Sequence, residues 1–119
     1  MKNRILIIDG DLAILDALER ELKSEGFSVM CVEKPDFVYG HIKNFLPDLI
    51  IMEIVHESLD GRILCDQIKK EPEFGGIPVV LITSLSHQEI AEIDCHADAI
   101  IGKPYSIKNI LLTIHNLKY

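Results

Sequence analysis

The sequence predicts an α/β protein in which one doubly wound parallel sheet carries helices on both faces. Five short apolar segments alternate with segments of helical periodicity, a pattern typical of parallel strands joined by crossover helices. The strand segments are nearly unbroken runs of isoleucine, leucine and valine, as expected where both faces of a sheet are covered. A chain of 119 residues is long enough for one core and too short for two, so we expect a single domain over residues 1–119.

The first half of the chain is predicted to form three strands and two helices. The strands lie at residues 4–9, 27–33 and 48–54, and the helices at about 12–25 and 35–45. Three leucines share one face of the first helix, and Gly26 ends it. Pro35 suits the first turn of the second helix, which has the weaker pattern.

The second half is predicted to form three helices and two strands. The helices lie at residues 61–70, 87–94 and about 106–117, and the strands at 77–83 and 97–103. In the strand order 2-1-3-4-5, helices one and five cover one face of the sheet, and helices two, three and four cover the other. A ligand site then belongs at the carboxyl ends of strands one and three, where the chain reverses direction.

Composition excludes several classes of function. A net charge of −7 argues against binding of nucleic acid by this domain, since that binding depends on neutralising phosphates. No apolar segment approaches the length of a membrane span and the N-terminus does not resemble a signal peptide, so we expect a cytoplasmic protein. Three widely spaced cysteines and five histidines show no ligand spacing, which predicts reduced thiols and no zinc site.

Polar side chains stand where four of the predicted strands end. They are Asp9 and Asp11 after the first strand, Glu53 on the third, Thr83 and Ser84 on the fourth, and Lys103 on the fifth. An unpaired carboxylate on a buried strand is costly, so Glu53 needs a partner. Because the carboxyl ends of parallel strands meet at one edge of a sheet, we expect a shared polar pocket there. Its members are the acids Asp9, Asp11 and Glu53 together with Thr83 and Lys103.

Three stretches resemble the receiver domain of two-component response regulators. They read ILIIDGDLAIL, PDLIIMEIVHESLDGRILCDQIKKEPEFGGIPVVLITS and ADAIIGKPY, in the family's order and spacing. The resemblance implies a flavodoxin-like (βα)5 domain that accepts a phosphoryl group from a histidine kinase on an aspartate ending the third strand, assisted by Mg²⁺. It places Asp9 in the acidic pair that holds the metal, and Thr83 and Lys103 where phosphoryl oxygens bind. Lys103 and Pro104 match the family's Lys–Pro step, which is often cis.

The chain departs from the family pattern at the positions most important for phosphorylation. The acceptor position holds Glu53 in place of aspartate, and Gly10 replaces the second acid of the pair. Ile100 stands at the aromatic switch position, Ala99 replaces the acid before it, and Glu57 replaces a proline after the acceptor. The resemblance therefore implies an atypical receiver, acting mainly by phosphorylation-independent contact with other proteins and not as an enzyme.

We expect no resident cofactor. Mg²⁺ binding is expected to be weak or absent because Gly10 removes one carboxylate and Glu53 directs the other differently. The residues left to bind Mg²⁺ weakly would be Asp9, Glu53 and the carbonyl of Val55.

The resemblance also implies a partner surface formed by the fourth helix, the fifth strand and the fifth helix. Ile101, Tyr105 and Lys108 are expected on or near this surface, whereas Ile100 belongs either to it or to the core. The partner would be a histidine kinase, an output domain or a second copy. The chain itself is either a small complete protein or part of a larger regulator or kinase.

Two other functions are compatible with these motifs. The first is a conventional receiver phosphorylated at Glu53 with Mg²⁺, although displacing a nucleophile by about an ångström can cost about a hundredfold in rate. The second is a haloacid-dehalogenase-like phosphohydrolase with Asp9 as nucleophile and Asp11 as acid/base, since DGDL resembles that family's opening motif. Thr83 and Ser84 stand where that family needs acids.

For Glu53 the sequence leads to a specific geometric expectation. Its carboxylate should lie within salt-bridge reach of Lys103, with the Thr83 hydroxyl turned toward it. Two interpretations remain open at this point. Glu53 either imitates part of the phosphorylated state or only neutralises Lys103.

Overall fold

The computed structural model describes residues 3–55 and 59–118. His56 and Glu57 lie outside these ranges. The strands are β1 (Arg4–Ile8), β2 (Ser28–Val32), β3 (Leu49–Glu53), β4 (Val79–Thr83) and β5 (Ala99–Gly102). The helices are α1 (Leu12–Ser24), α2 (Val38–Phe45), α3 (Gly61–Lys70), α4 (His87–Ala91) and α5 (Ile107–Lys118). Strands and helices alternate along the chain as predicted.

The five strands form one parallel sheet in the order β2-β1-β3-β4-β5, which confirms the predicted topology. Ile8 at the end of β1 lies opposite Val32 of β2 and Met52 of β3. Thr83 at the end of β4 lies opposite Gly102 of β5. This register brings the residues that follow each strand to a common edge of the sheet.

Two apolar cores lie on opposite faces of the sheet. Successive residues of β1 alternate between them: Ile5 and Ile7 face one core, while Leu6 and Ile8 face the other. Buried side chains of α1 and α5 pack in the first core, and those of α2 and α3 pack in the second. Ile90 of α4 is partly buried against the second core. The predicted distribution of helices over the two faces is therefore confirmed.

The start of α3 is held tightly against the end of β3. Asp60 caps the helix, because its side-chain oxygen accepts a hydrogen bond from the backbone N–H of Arg62 at 2.8 Å. The N–H of Gly61 donates to the carbonyl oxygen of Ile54 at 2.6 Å. A Cβ at residue 61 would overlap the backbone of Glu53 and Ile54, so only glycine fits at this approach.

Two predicted helix boundaries are wrong. The second helix begins at Val38 and not at Pro35, because Phe37 has a φ of 59° that a right-handed helix cannot contain. The fourth helix ends at Ala91, three residues before the predicted end. No residue of α4 is fully buried, so no apolar stripe holds a further turn against the sheet.

Within the described ranges, no helix is long and apolar enough to cross a membrane. The three cysteines are free thiols, and Cys65 on α3 is the buried one.

Candidate functional site

A compact polar cluster lies at the carboxyl edge of the sheet, between β1, β3 and β5. Asp9 follows β1 directly, Glu53 is the last residue of β3, and Lys103 follows β5. The Lys103 Nζ lies 3.2 Å from Asp9 Oδ2 and 3.4 Å from Glu53 Oε1. One ammonium therefore serves two carboxylates, and the expected salt bridge between Glu53 and Lys103 is confirmed. The Lys103–Pro104 peptide bond is cis.

Asp9 is fully buried. Its Oδ1 accepts a hydrogen bond from the backbone N–H of Asp11 at 2.9 Å. Its Oδ2 has no hydrogen-bond partner with good geometry among the described residues, so the nearby Lys103 ammonium is its compensation. A buried carboxylate in this position depends on that cation, because a lone charge in an apolar interior is strongly unfavourable.

Glu53 is less buried than Asp9, and the pKa of its carboxyl is raised. Burial raises the pKa of its carboxyl to about 7, and contact with the Asp9 carboxylate acts in the same direction. Lys103 opposes this shift without cancelling it. The Glu53 carboxyl is therefore partly protonated near neutral pH.

Two residues predicted in the pocket are engaged elsewhere. Thr83 is buried, but its Oγ1 accepts a hydrogen bond from the backbone N–H of Leu85 at 3.0 Å, and within the described residues no hydrogen bond joins it to Glu53. The expected contact between Thr83 and Glu53 is thus wrong, because the hydroxyl stabilises the turn after β4. Asp11 is exposed and caps α1 by accepting from the N–H groups of Ala13 and Ile14. A carboxylate used in this way is poorly placed as the acid/base of a phosphohydrolase.

Residues 5–115 match the family model of the response regulator receiver domain. The chain belongs to this family. It is 27% identical over 119 residues to response regulator MprA of Mycobacterium sp. (strain KMS), an alignment that covers 98% of this chain and 51% of that protein. The chain therefore spans about half the length of the curated relatives it matches.

Solved receiver structures share the fold closely. A CheY-like receiver domain protein from Methanospirillum hungatei JF-1 superposes with a TM-score of 0.87 at 27% identity, covering 99% of this chain and 94% of that one. The signal receiver domain of a signal transduction histidine kinase from Syntrophus aciditrophicus gives a TM-score of 0.89 at 27% identity, covering 98% and 89%. This chain is accordingly a receiver domain of two-component signalling.

The donor atoms of the cluster do not fit a receiver's magnesium site. Asp9 and Glu53 supply the carboxylates, whereas Gly10 supplies none. Among the described residues, no three acidic, histidine or cysteine side chains converge as a metal site would require. The Lys103 ammonium already lies against one oxygen of each acid, so a divalent cation would compete with it for both. The raised pKa of Glu53 weakens the donor set further, because a protonated carboxyl is a poor ligand for Mg²⁺.

The predicted partner surface is divided between exposed and buried residues. Ile100 on the edge strand β5 is 39% exposed, so it belongs to the surface and not to the core. Ile101 and Tyr105 are partly buried against the core on the α1 and α5 face. The pKa of the Tyr105 hydroxyl is raised to about 12, chiefly by burial. Lys108 on α5 is exposed.

A cavity of about 450 Å³ opens between α4 and β5. Ile90 of α4 and Ile100 of β5 line its apolar part, and Thr83 and Lys103 line the part nearest the polar cluster. This cavity joins the exposed face of β5 to the site.

One buried side chain near the site was not anticipated. Arg62, the second residue of α3, is only 5% exposed. The available signal was an arginine beside Gly61 in a helix whose neighbouring positions are apolar, but long basic side chains at helix starts commonly extend into solvent.

Proposed function

We propose that this receiver domain acts mainly by phosphorylation-independent contact with other proteins. The observation that carries the proposal is the position of the Lys103 ammonium, which already binds the carboxylates of Asp9 and Glu53. In a conventional receiver, a lysine at this position binds the phosphoryl oxygens. Here its charge is satisfied within the protein itself, and the acceptor side chain is a glutamate.

Glu53 imitates part of the phosphorylated state in this proposal. Its carboxylate presents one negative charge to Lys103, whereas a phosphoryl group would present about two. Partial protonation near pH 7 reduces this charge further, so the imitation is incomplete and grows stronger as the pH rises. The competing interpretation is that Glu53 only neutralises Lys103.

The partner surface in this proposal is the face formed by α4, β5 and α5. Ile100 is its exposed apolar residue, and the cavity between Ile90 and Ile100 could receive an apolar side chain. The partner is a protein, either a histidine kinase, an output domain or a second copy of the chain, in the cytoplasm where two-component receivers act. Since curated relatives are about twice as long, an output domain in the same polypeptide is a natural candidate.

A phosphorylation assay tests the proposal directly. The chain is incubated with Mg²⁺ and a small-molecule phosphodonor such as acetyl phosphate, and the intact mass is measured. We expect no phosphorylation of the natural chain. We expect the double variant Gly10→Asp, Glu53→Asp to be phosphorylated, because a Cβ at residue 10 meets nothing closer than 3.9 Å and the second acid can be accommodated.

The single variants Gly10→Asp and Glu53→Asp serve as matched controls. Calorimetric titration with Mg²⁺ should give saturable heat for the double variant and not for the natural chain. Phosphorylation of the natural chain at Glu53 to the same extent as the double variant would show that the proposal is wrong.

The imitation itself is tested with Glu53→Gln, which keeps the size of the side chain and removes its charge. Binding to the partner, or self-association measured by sedimentation, should weaken relative to the natural chain and to the exposed control Glu73→Gln. Unchanged binding would contradict the imitation and would mean that Glu53 only neutralises the charge of Lys103.

A further inference from the structure

The guanidinium of Arg62 connects the start of α3 to α4. Its Nε and Nη2 donate to the two carboxylate oxygens of Asp60 at 3.0 and 2.7 Å. Its Nη1 donates to the backbone carbonyls of Glu89 and Ile90 at 2.7 and 2.9 Å. Among the described residues, Arg62 is the one basic side chain that is buried, so each of these contacts compensates the loss of water around a charge.

The contacts with α4 are made to carbonyls in its C-terminal half. This helix has five residues, none fully buried. The carbonyl of Glu89 accepts a long hydrogen bond of 3.3 Å from the N–H of Glu92 in the same turn, and Arg62 adds a shorter one. Ile90 packs only partly against the core on this face. Hydrogen bonds from Arg62 therefore supply what burial does not, a fixed position relative to the sheet.

At the other end of this connection, Asp60 is held by several hydrogen bonds. Asp60 both caps α3 and accepts two hydrogen bonds from the guanidinium, and these hydrogen bonds lower the pKa of Asp60 from its ordinary value. Gly61 fixes the same turn against the backbone of Glu53. A continuous series of contacts thus runs from the end of β3, through Asp60 and Arg62, to α4.

We propose that Arg62 is the positioning residue of α4, and that it holds the Ile90 wall of the cavity between α4 and β5 in place. The consequence for partner binding rests on the proposed function, which puts the partner on this face. The positioning of α4 is independent of that function and can be measured without any partner.

Two more polar contacts extend along the same edge of α3. Asp66 accepts from the backbone N–H of His96 at 2.8 Å, and Lys69 lies 2.6 Å from Asp98. Positions 62, 66 and 69 lie on one side of a helix. The later two contacts hold the segment between α4 and β5, which leaves Arg62 as the contact that reaches α4 itself.

Hydrogen–deuterium exchange on the whole chain tests the proposal. The amide of Ile90 donates to the carbonyl of the N-cap Ser86, and the amide of Glu92 donates to that of Glu89. In Arg62→Leu, these two amides should exchange at least about tenfold faster. Amides of α1 and β3 should keep their rates. Arg62→Lys keeps the charge but lacks the planar fork, so it should also accelerate exchange in α4, by a smaller factor.

The matched control is Arg20→Leu on α1. Arg20 is exposed and its nitrogen lies 3.8 Å from Asp16, so its loss should change exchange nowhere. Unchanged exchange of α4 in both Arg62 variants would overturn the proposal. Equal acceleration in every element would also overturn it, because Arg62 would then stabilise the whole domain without positioning α4. If Arg62→Leu does not fold, Arg62→Lys decides between these outcomes. Neither outcome depends on the phosphorylation assay, so failure of this inference and failure of the proposed function are distinguishable.

Discussion

Helices α1 and α4 are attached to the same sheet by different kinds of interaction. Three leucines of the 13-residue α1 are buried, at positions 15, 18 and 22. The five-residue α4 has no fully buried residue and depends on the guanidinium of Arg62 for its polar attachment. Burial is non-directional and spread over many contacts, whereas the attachment of α4 is directional and concentrated in one side chain.

The difference indicates how the two helices can behave. Displacing α1 would expose apolar surface from the core, so its position is tied to global stability. Displacing α4 costs mainly a few hydrogen bonds, so it can open locally while the rest of the domain stays folded. Helix α4, which is part of the proposed partner surface, therefore costs less free energy to displace than α1.

The largest effect should come from truncating the core beneath α1. Leu22 is fully buried, so Leu22→Ala should lower the free energy of unfolding by about 2–5 kcal/mol. Urea denaturation measures this change. The control is Leu12→Ala, since Leu12 is 60% exposed and its truncation should change stability by less than about 0.5 kcal/mol. Similar decreases in the free energy of unfolding in both variants would contradict the view that burial of α1 side chains holds this helix on the sheet.

An intermediate effect should depend on pH at the cluster of Asp9, Glu53 and Lys103. The pKa of Glu53 is about 7 in the folded protein against an ordinary value of 4.5, so the folded state binds this proton more tightly. Its contribution to stability is complete below a pH of about 4.5 and is lost as the pH rises through about 7. Asp9 and Lys103 are the charged groups that face it.

Glu53→Gln should flatten the decline of stability over this interval. Denaturation midpoints measured at several pH values check the effect, with Glu73→Gln as the exposed control. A decline that persists in Glu53→Gln would assign the pH dependence to another group.

The smallest effects, and the sharpest test of the comparison, come from two helix caps. Asp11 caps α1, and Ser86 forms a reciprocal capping box with Glu89 on α4. Asp11→Ala should reduce global stability by about 1 kcal/mol. Ser86→Ala should change global stability less, because α4 can lose its structure locally, while exchange in α4 rises. Equal changes in the denaturation midpoints would mean that α4 unfolds together with the core.

The sequence was sufficient to predict the sheet order, the distribution of helices and the meeting of Asp9, Glu53 and Lys103. The apolar runs and helical segments predict a parallel sheet whose carboxyl ends lie at one edge. The order 2-1-3-4-5 is one of the two common orders of a doubly wound sheet, and it is the one that the resemblance to receiver domains implies. The salt bridge between Glu53 and Lys103 followed from the same placement together with the cost of an unpaired carboxylate.

Other features depended on contacts that no pattern shows. The start of α2 was set by the left-handed backbone of Phe37, a residue type with no preference for that conformation. A threonine hydroxyl can both donate and accept hydrogen bonds, so the sequence does not fix its partner. In the structure the Thr83 hydroxyl oxygen accepts from the backbone N–H of Leu85. The burial of Arg62 was not predicted because two of its three partners are backbone carbonyls 27 and 28 residues away in the chain.

The reactivity of two native cysteines can report local and global opening of the domain. The pKa of the Cys65 thiol on α3 is raised to about 12, chiefly by burial. At neutral pH almost none of this thiol is therefore in the thiolate form that alkylating reagents attack. Cys95, in the segment after α4, is partly exposed. Alkylation followed by mass spectrometry would therefore report loosening of the α4 region at Cys95 and unfolding of the core at Cys65, without any engineered cysteine.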